Sequence, residues 1–457
     1  MVCPGPWVRG KGVMATVGAV DRLGIEAYLV GFPLVFNLDQ VTRYVTSGVG
    51  SNPAADWNTF SHARQLATPA DTFVTINNDT VYSMAQIDLS VGPVRLHVPE
   101  VGDRYYVLQF VDAWTDNFAY VGKRGTGPGP GDFLLVPPGW DGEVADEVAV
   151  IRFPTRVGSI VGRWAVSGDD DLAVVHALQD ATTLTPADES AVPVGLPPIE
   201  PDLSEGLAFF EKMRLWSQAF PPAPRDQPLL AAVAELGLTG DVPVGRLASP
   251  TQDRLEAAYA SGGAALDRIE HSGNSPKVNG WTLTLHVFDY NLDYFEVGTV
   301  DSDEWKLTDP KIRLAERAAA ALGGLWGNHG YEAAYVMTYV DSDDHQLDGT
   351  NTYRLRLSPT PPVGGFWSLT MYDVPNFFLV DNEIGRYSIG DRTPGITADP
   401  DGGITITISN TEPTDAHERA NWLPAPAGPF RPVLRMYIPD PAIFDGSYQI
   451  PPIERVR

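Results

Sequence analysis

Through its first and last thirds the chain is a succession of short apolar runs, each cut off by turn residues, and that rhythm admits few architectures besides packed β-sheets. The early runs fall at residues 72–76, 80–87, 95–98, 105–111, 118–121, 133–136, 147–153 and 159–166. The late ones fall at 333–340, 352–357, 366–372, 404–409 and 433–438. With 44 Gly and 40 Pro, the chain has ample turn residues. Asp348-Gly349 and Asp401-Gly402 are strong chain-reversal signals, and Pro359, Pro361 and Pro362 limit the strand before them.

Between these thirds the period changes to 3.6, over residues 171–181, 204–220, 228–236, 251–271 and 309–325. Ser249-Pro250 and Thr308-Asp309-Pro310 read as helix starts, and Gly323-Gly324 as a stop. Residues 281–290 and Tyr294-Phe295 look extended. Near the start, Leu23, Ala27, Val30, Leu34, Leu38 and Val41 follow helical spacing, with Pro33 as a kink or a break between two helices. The expected fold is α+β, mainly β. It has an N-terminal helical arm (1–50), a β-sandwich domain (51–200), a mostly helical bridging region (201–330) and a second β-sandwich domain (331–457).

A length of 457 residues calls for two or three packed units. Asp and Glu total 58 against 32 Lys and Arg, a net charge of −26. That balance argues against nucleic acid and anionic membranes as partners, because phosphate affinity needs clustered cations. The single Cys, Cys3, excludes an intramolecular disulfide framework and cysteine-rich zinc sites. No stretch approaches the roughly 20 apolar residues that cross a bilayer, and the N-terminus does not read as a signal peptide, so a cytoplasmic protein is expected.

Several motifs fail their chemical tests. Gly125-Thr126-Gly127-Pro128-Gly129-Pro130-Gly131 lacks the backbone N–H groups and the Lys-Ser/Thr ending of a phosphate loop. Asp341, Asp343, Asp344 and Asp348 offer hard oxygens, but Gln346 and Thr352 stand where an EF-hand needs Gly and Glu, so a divalent cation has no motif behind it. The eight histidines are dispersed, and no nucleophile elbow is present.

Three polar clusters are more informative. Asn77-Asn78-Asp79-Thr80-Val81-Tyr82 places side-chain chemistry at a strand start, where Asx-turns are the bland reading. Asp112-Ala113-Trp114-Thr115-Asp116-Asn117 emerges where the 105–111 strand ends. Phe366-Trp367-Ser368-Leu369-Thr370-Met371-Tyr372 precedes Asn382, Arg386, Asp391 and Arg392, with Trp367, Leu369 and Met371 on one face.

With these residues in view, the chain resembles a two-domain family. The segment from Asn77 to Ser83, with Asp88-Leu89 and Tyr105-Tyr106, is similar to domain of unknown function 1254. The segment from Phe366 to Tyr372, with Arg386-Tyr387-Ser388-Ile389-Gly390-Asp391-Arg392 and Asn421-Trp422-Leu423-Pro424, is similar to domain of unknown function 1214. The resemblance implies two sandwich or jelly-roll-like domains bridged by helices, with homo-oligomers allowed, and no agreed activity. It also implies exported relatives, which the missing signal sequence sets apart.

The leading functional expectation is an enzyme acting on a small organic molecule in a cleft between the β domains, without a nucleotide cofactor. Asp79 and Asp112 are the candidate acid and base, Tyr82 a proton donor or positioning hydroxyl, and Arg386 or Arg392 an anion stabiliser. Asn77, Trp114, Asn117, Trp367 and Tyr372 complete the substrate contacts. Hydrolysis is the broad expectation, followed by elimination, isomerisation or cyclisation. The alternative is a non-catalytic small-molecule or carbohydrate-binding protein using Trp114, Trp367 and Trp422 as platforms. All of this requires the segments near 80, 112 and 390 to share one hollow.

Overall fold

The computed structural model describes residues 21–71, 75–144, 148–272 and 275–456. Cys3 and parts of the 72–76 and 147–153 runs lie outside the described residues. The chain opens with helix α1 (Arg22–Thr46), started by Asp21, whose carboxylate accepts from the Gly24 N–H. It runs unbroken through Pro33, where the sequence pattern allowed a break. A mid-helix proline costs about 3 kcal/mol. Burial of Leu34, Val35, Leu38 and Val41 on its core face offsets that cost.

The N-terminal β domain follows, with β1 (Phe60–His62), β2 (Thr80–Asp88), β3 (Val94–Val98), β4 (Tyr106–Asp112), β5 (Asn117–Gly122), β6 (Gly131–Val136), β7 (Ala149–Arg152) and β8 (Val157–Ala165), then helix α2 (Leu172–Ala181) and β9 (Thr183–Pro186). One sheet has the order β1-β2-β8-β4-β5, the other β7-β6-β3-β9. Alternate residues Val81, Ala85 and Ile87 of β2, Leu108 and Phe110 of β4, and Ile160 and Trp164 of β8 meet Leu96, Phe133 and Leu135 of the second sheet in one apolar core.

Helices α3 (Glu205–Ala219), α4 (Gln227–Ala232), α5 (Ser249–Ser272) and α6 (Pro310–Gly324) form the bridging region. They pack around α1 rather than leaving it as a projecting arm, with Phe210, Met213, Leu255, Leu266 and Ala318 against its apolar face. Gly31 and Gly262 permit the close approach, since a Cβ would stand 2.6 Å from the Met213 sulfur and 2.4 Å from the Tyr28 Cβ respectively.

The bridging region also donates β10 (Lys277–Val278) and β11 (Trp281–Leu283) to the C-terminal domain. That domain adds β12 (Ala333–Thr338), β13 (Tyr353–Leu357), β14 (Trp367–Asp373), β15 (Ser388–Gly390), β16 (Ile404–Ser409), the short helix α7 (Ala416–Ala420), β17 (Trp422–Pro424), β18 (Phe430–Tyr437) and β19 (Glu454–Arg455). A six-stranded sheet, β10-β11-β12-β18-β14-β15, packs on a four-stranded one, β17-β16-β13-β19. The two four-stranded sheets are mixed, with β6 parallel to β7 and β16 parallel to β17.

Each large sheet therefore has one face in its own sandwich. The second face of the five-stranded sheet carries Tyr82 opposite Arg163, and that of the six-stranded sheet carries Ser368 and Tyr335 opposite Arg435. Tyr105, Val107, Tyr120 and Ala165 pack against Ala333, Phe366 and Tyr437, so the two sandwiches meet along a seam.

Candidate functional site

The seam begins with the turn that launches β2. Asn77 Oδ1 accepts from the backbone N–H groups of Asp79 (2.6 Å) and Thr80 (3.3 Å), an Asx-type turn. Its other end donates to the Tyr437 hydroxyl at 2.8 Å. The turn aims Asp79, 4% exposed, across the seam. Asp79 Oδ2 accepts from the Ser368 hydroxyl at 2.7 Å and the Tyr437 hydroxyl at 3.0 Å. Bonds to an ionised carboxylate contribute about 1.5–3 kcal/mol each, so this junction also binds the two domains together.

Burial, then the adjacent Asp79 carboxylate, pushes the Tyr437 hydroxyl well up, so it stays protonated and donating near neutral pH. Arg435, 3% exposed, donates to Thr370 (2.9 Å), the Tyr372 hydroxyl (2.7 Å) and the Thr75 carbonyl (3.1 Å). Tyr372 in turn donates to the Ile76 carbonyl at 2.6 Å. On the facing sheet Arg163 lies 5.4 Å from the Tyr82 ring centre and donates to Gln109 at 2.7 Å. Gln109 passes the chain to Asn117 at 2.7 Å.

At one end the seam opens into a cleft of about 270 Å³ between the domains. Asp103, Arg104, Tyr105, Lys123 and Ser167 line it from one side, and Phe366 and Arg392 from the other. Arg392 stacks over Phe366, 3.4 Å from the ring centre, and makes only long bonds to the carbonyls of Val166 (3.2 Å) and Asp79 (3.4 Å). Phe366 stacks on Tyr437 with ring centres 4.1 Å apart, which sets the Asp79 junction directly behind the cleft wall. Tyr105 donates to Glu332 at 3.0 Å, and Glu332 takes a second bond from Arg124 at 2.6 Å.

Of the residues the sequence offered, Asn77, Asp79, Tyr82, Tyr372 and Arg392 come together at the seam, with Asn117 joined to it through Gln109. Asp112 does not reach it. Its carboxylate caps its own loop, accepting from the N–H groups of Trp114 (2.8 Å) and Asp116 (2.9 Å), and it stands opposite Gly158 while Thr80 stands opposite Ala165. Seven residues of β8 separate those levels, about 23 Å. Trp114 is buried against the helices, where its indole N–H donates to the Phe220 carbonyl at 2.7 Å. Trp367 lies inside the C-terminal sandwich. Arg386 ties its loop to the carbonyls of Ala420 (3.0 Å) and Trp422 (2.8 Å), away from the cleft.

Ser368 stands in a polar cluster of the sequence without a role, and Tyr437, Arg435, Arg163 and Glu332 are not among its candidate residues. The available signal was the 430–437 run, in which Arg431, Val433, Arg435 and Tyr437 occupy one face of an otherwise apolar strand.

Asp341 caps its own turn, accepting from the N–H groups of Asp343 (2.9 Å) and His345 (3.0 Å). Among the described residues no group of three or more His, Cys, Asp or Glu is placed to hold a metal ion. No helix among them is long and apolar enough to cross a membrane.

Beside the seam, burial and then the Arg124 charge lower His329 to about 3, well below the usual 6.5. A histidine kept neutral in the folded state contributes stability that is complete above pH 6.5 and lost as pH falls toward 3. Acidification to pH 5 is expected to cost roughly 2 kcal/mol through this group alone. Comparing unfolding of the wild type and His329→Gln between pH 7.5 and 5 checks it. The variant should lose less stability over that range, and parallel curves would contradict the assignment.

Comparison with known proteins gives two family matches, a protein of unknown function (DUF1254) over residues 57–186 and a protein of unknown function (DUF1214) over residues 332–441. The VPA0106 protein from Vibrio parahaemolyticus is 25% identical, over 95% of this chain and 99% of its own, with a TM-score of 0.71. An uncharacterized protein from Burkholderia cenocepacia is 11% identical over 95% and 94%, with a TM-score of 0.44. No curated protein matches the chain.

Proposed function

Because the chain belongs to the family that joins a DUF1254 to a DUF1214 unit, with no activity to inherit, we propose from its own geometry that it is an enzyme performing acid/base chemistry on a small organic molecule in the inter-domain cleft. The observation that carries this reading is the Asp79 carboxylate, which takes hydrogen bonds from Ser368 and Tyr437 of the other domain just behind the cleft wall. A carboxylate and a protonated phenol in contact can move a proton between them and a substrate, Asp79 as base and Tyr437 as donor. Arg392, on the cleft lining, supplies a charge to orient the substrate, while Tyr82 and Arg163 add polar groups along the seam behind it. Hydrolysis is the leading reaction class, with elimination, isomerisation or cyclisation next. A cytoplasmic location and activity without a nucleotide cofactor belong to the same proposal.

The binding-only alternative draws less support, since Trp114, Trp367 and Trp422 are 3%, 2% and 5% exposed and offer no open stacking platform. A metabolite screen by thermal shift, with mass spectrometry of the incubated mixtures, tests the choice. The enzyme reading expects a stabilising metabolite to disappear and a product to accumulate. Ligands that bind and are returned unchanged would overturn it.

A further inference from the structure

We infer that the molecule taken up by the inter-domain cleft carries an oxyanion, a carboxylate or a phosphate, held between Lys123 and Arg392. The inference rests on the cleft being the site proposed above, and adds the class of its ligand.

Three cations line the cleft, and they are not equivalent. Arg104 is neutralised by Asp171 through two bonds of 2.5 Å. Lys123 and Arg392 have no carboxylate partner among the described ion pairs. Lys123 donates to the Asp103 backbone carbonyl at 2.8 Å. Arg392 has its two long carbonyl bonds, and its Nε is buried with no partner. Burial pushes the Arg392 guanidinium down from its ordinary value, and the nearby Asp79 and Asp391 carboxylates, neither in direct ion-pair contact with it, oppose that shift without cancelling it.

In a chain of net charge −26, carboxylates are the abundant partner, and Asp103 itself lines the cleft, yet neither Lys123 nor Arg392 makes a direct carboxylate ion pair among the described residues. An anion placed between them would supply the missing charge, and a guanidinium edge matches carboxylate and phosphate oxygens. At about 270 Å³ the cleft suits a small ligand.

Titration calorimetry of the full chain at low salt, with benzoate, inorganic phosphate and neutral benzamide as probes, tests this. Saturable binding of at least one anion is expected, with none of benzamide at the same concentration. Affinity should fall roughly tenfold in Arg392→Gln and in Lys123→Gln, and should fall with added salt. Binding of benzoate alone assigns a carboxylate ligand, and of phosphate alone a phosphorylated one. Should Arg392→Gln misfold, Lys123→Gln carries the comparison. Failure of both anions to saturate, equal binding of benzamide, or affinities unchanged in the variants would overturn the inference. Turnover of a neutral metabolite without anion binding would sink this assignment and spare the enzyme reading. Anion binding without any turnover would do the reverse.

Discussion

Asp79→Asn is expected to reduce turnover of any substrate found in the metabolite screen by roughly 10²–10⁴-fold, the range carried by a positioned general acid or base. Asparagine keeps the size of the side chain and can still accept from Ser368 and Tyr437, so the seam should stay closed and substrate affinity should change little. Tyr437→Phe removes the donor and leaves Asp79 with its Ser368 bond. A comparable fall in kcat is expected, with a small change in KM. A pure loss of affinity, with kcat preserved in both variants, would reassign the pair to holding the domains together. Thermal melting of each variant separates that outcome from simple destabilisation.

The second large effect lies at the other end of the five-stranded sheet. Arg317, 7% exposed, pairs with Asp116 and reaches Asp226 at 3.6 Å, and Arg313 also pairs with Asp226. Burial pushes Asp116 up to about 6 even with the Arg317 charge opposing it. Burial, then the neighbouring Asp116, holds Asp112 well above the usual carboxylate range. Arg317→Met keeps the apolar stem and removes the charge, leaving buried carboxylates uncompensated. Breaking such a pair costs about 3–5 kcal/mol. Chemical unfolding should show a loss of that size at pH 7.5. It should shrink at pH 5, where Asp116 takes up a proton, and be partly restored by Asp116→Asn. A loss below about 1 kcal/mol at both pH values would contradict this account, being what an exposed pair gives.

The elements were legible in the sequence because periods of 2 and 3.6 survive in single residues. Trp367, Leu369 and Met371 lie in the C-terminal core as their alternation implied, and Ser368, Thr370 and Tyr372 face the other way. What a lone strand does not encode is what its second face meets. Arg431 and Arg435 alternate with apolar residues as solvent-facing cations would, yet they are 6% and 3% exposed, because a second sandwich covers them. Polar alternation looks the same for water as for a polar seam.

The gathering of positions 80, 112 and 390 failed on strand direction. β2 and β4 each pair antiparallel with β8, so they run parallel to one another. The start of β2, with Asp79, and the end of β4, with Asp112, therefore lie at opposite ends of the sheet. Position 392 does meet Asp79, because the β14–β15 pair brings Gly390 opposite Ser368. Tertiary pairing, which local pattern does not encode, decided both outcomes.

A crystal structure of the protein with the strongest ligand from the metabolite screen tests the site most directly. The ligand is expected in the inter-domain cleft, with its anion between Lys123 and Arg392 and its reacting atoms toward Tyr437 and Asp79. A ligand seated in the helical hollow beside Trp114 and Arg317, or on an outer sheet, with the cleft vacant, would contradict the account.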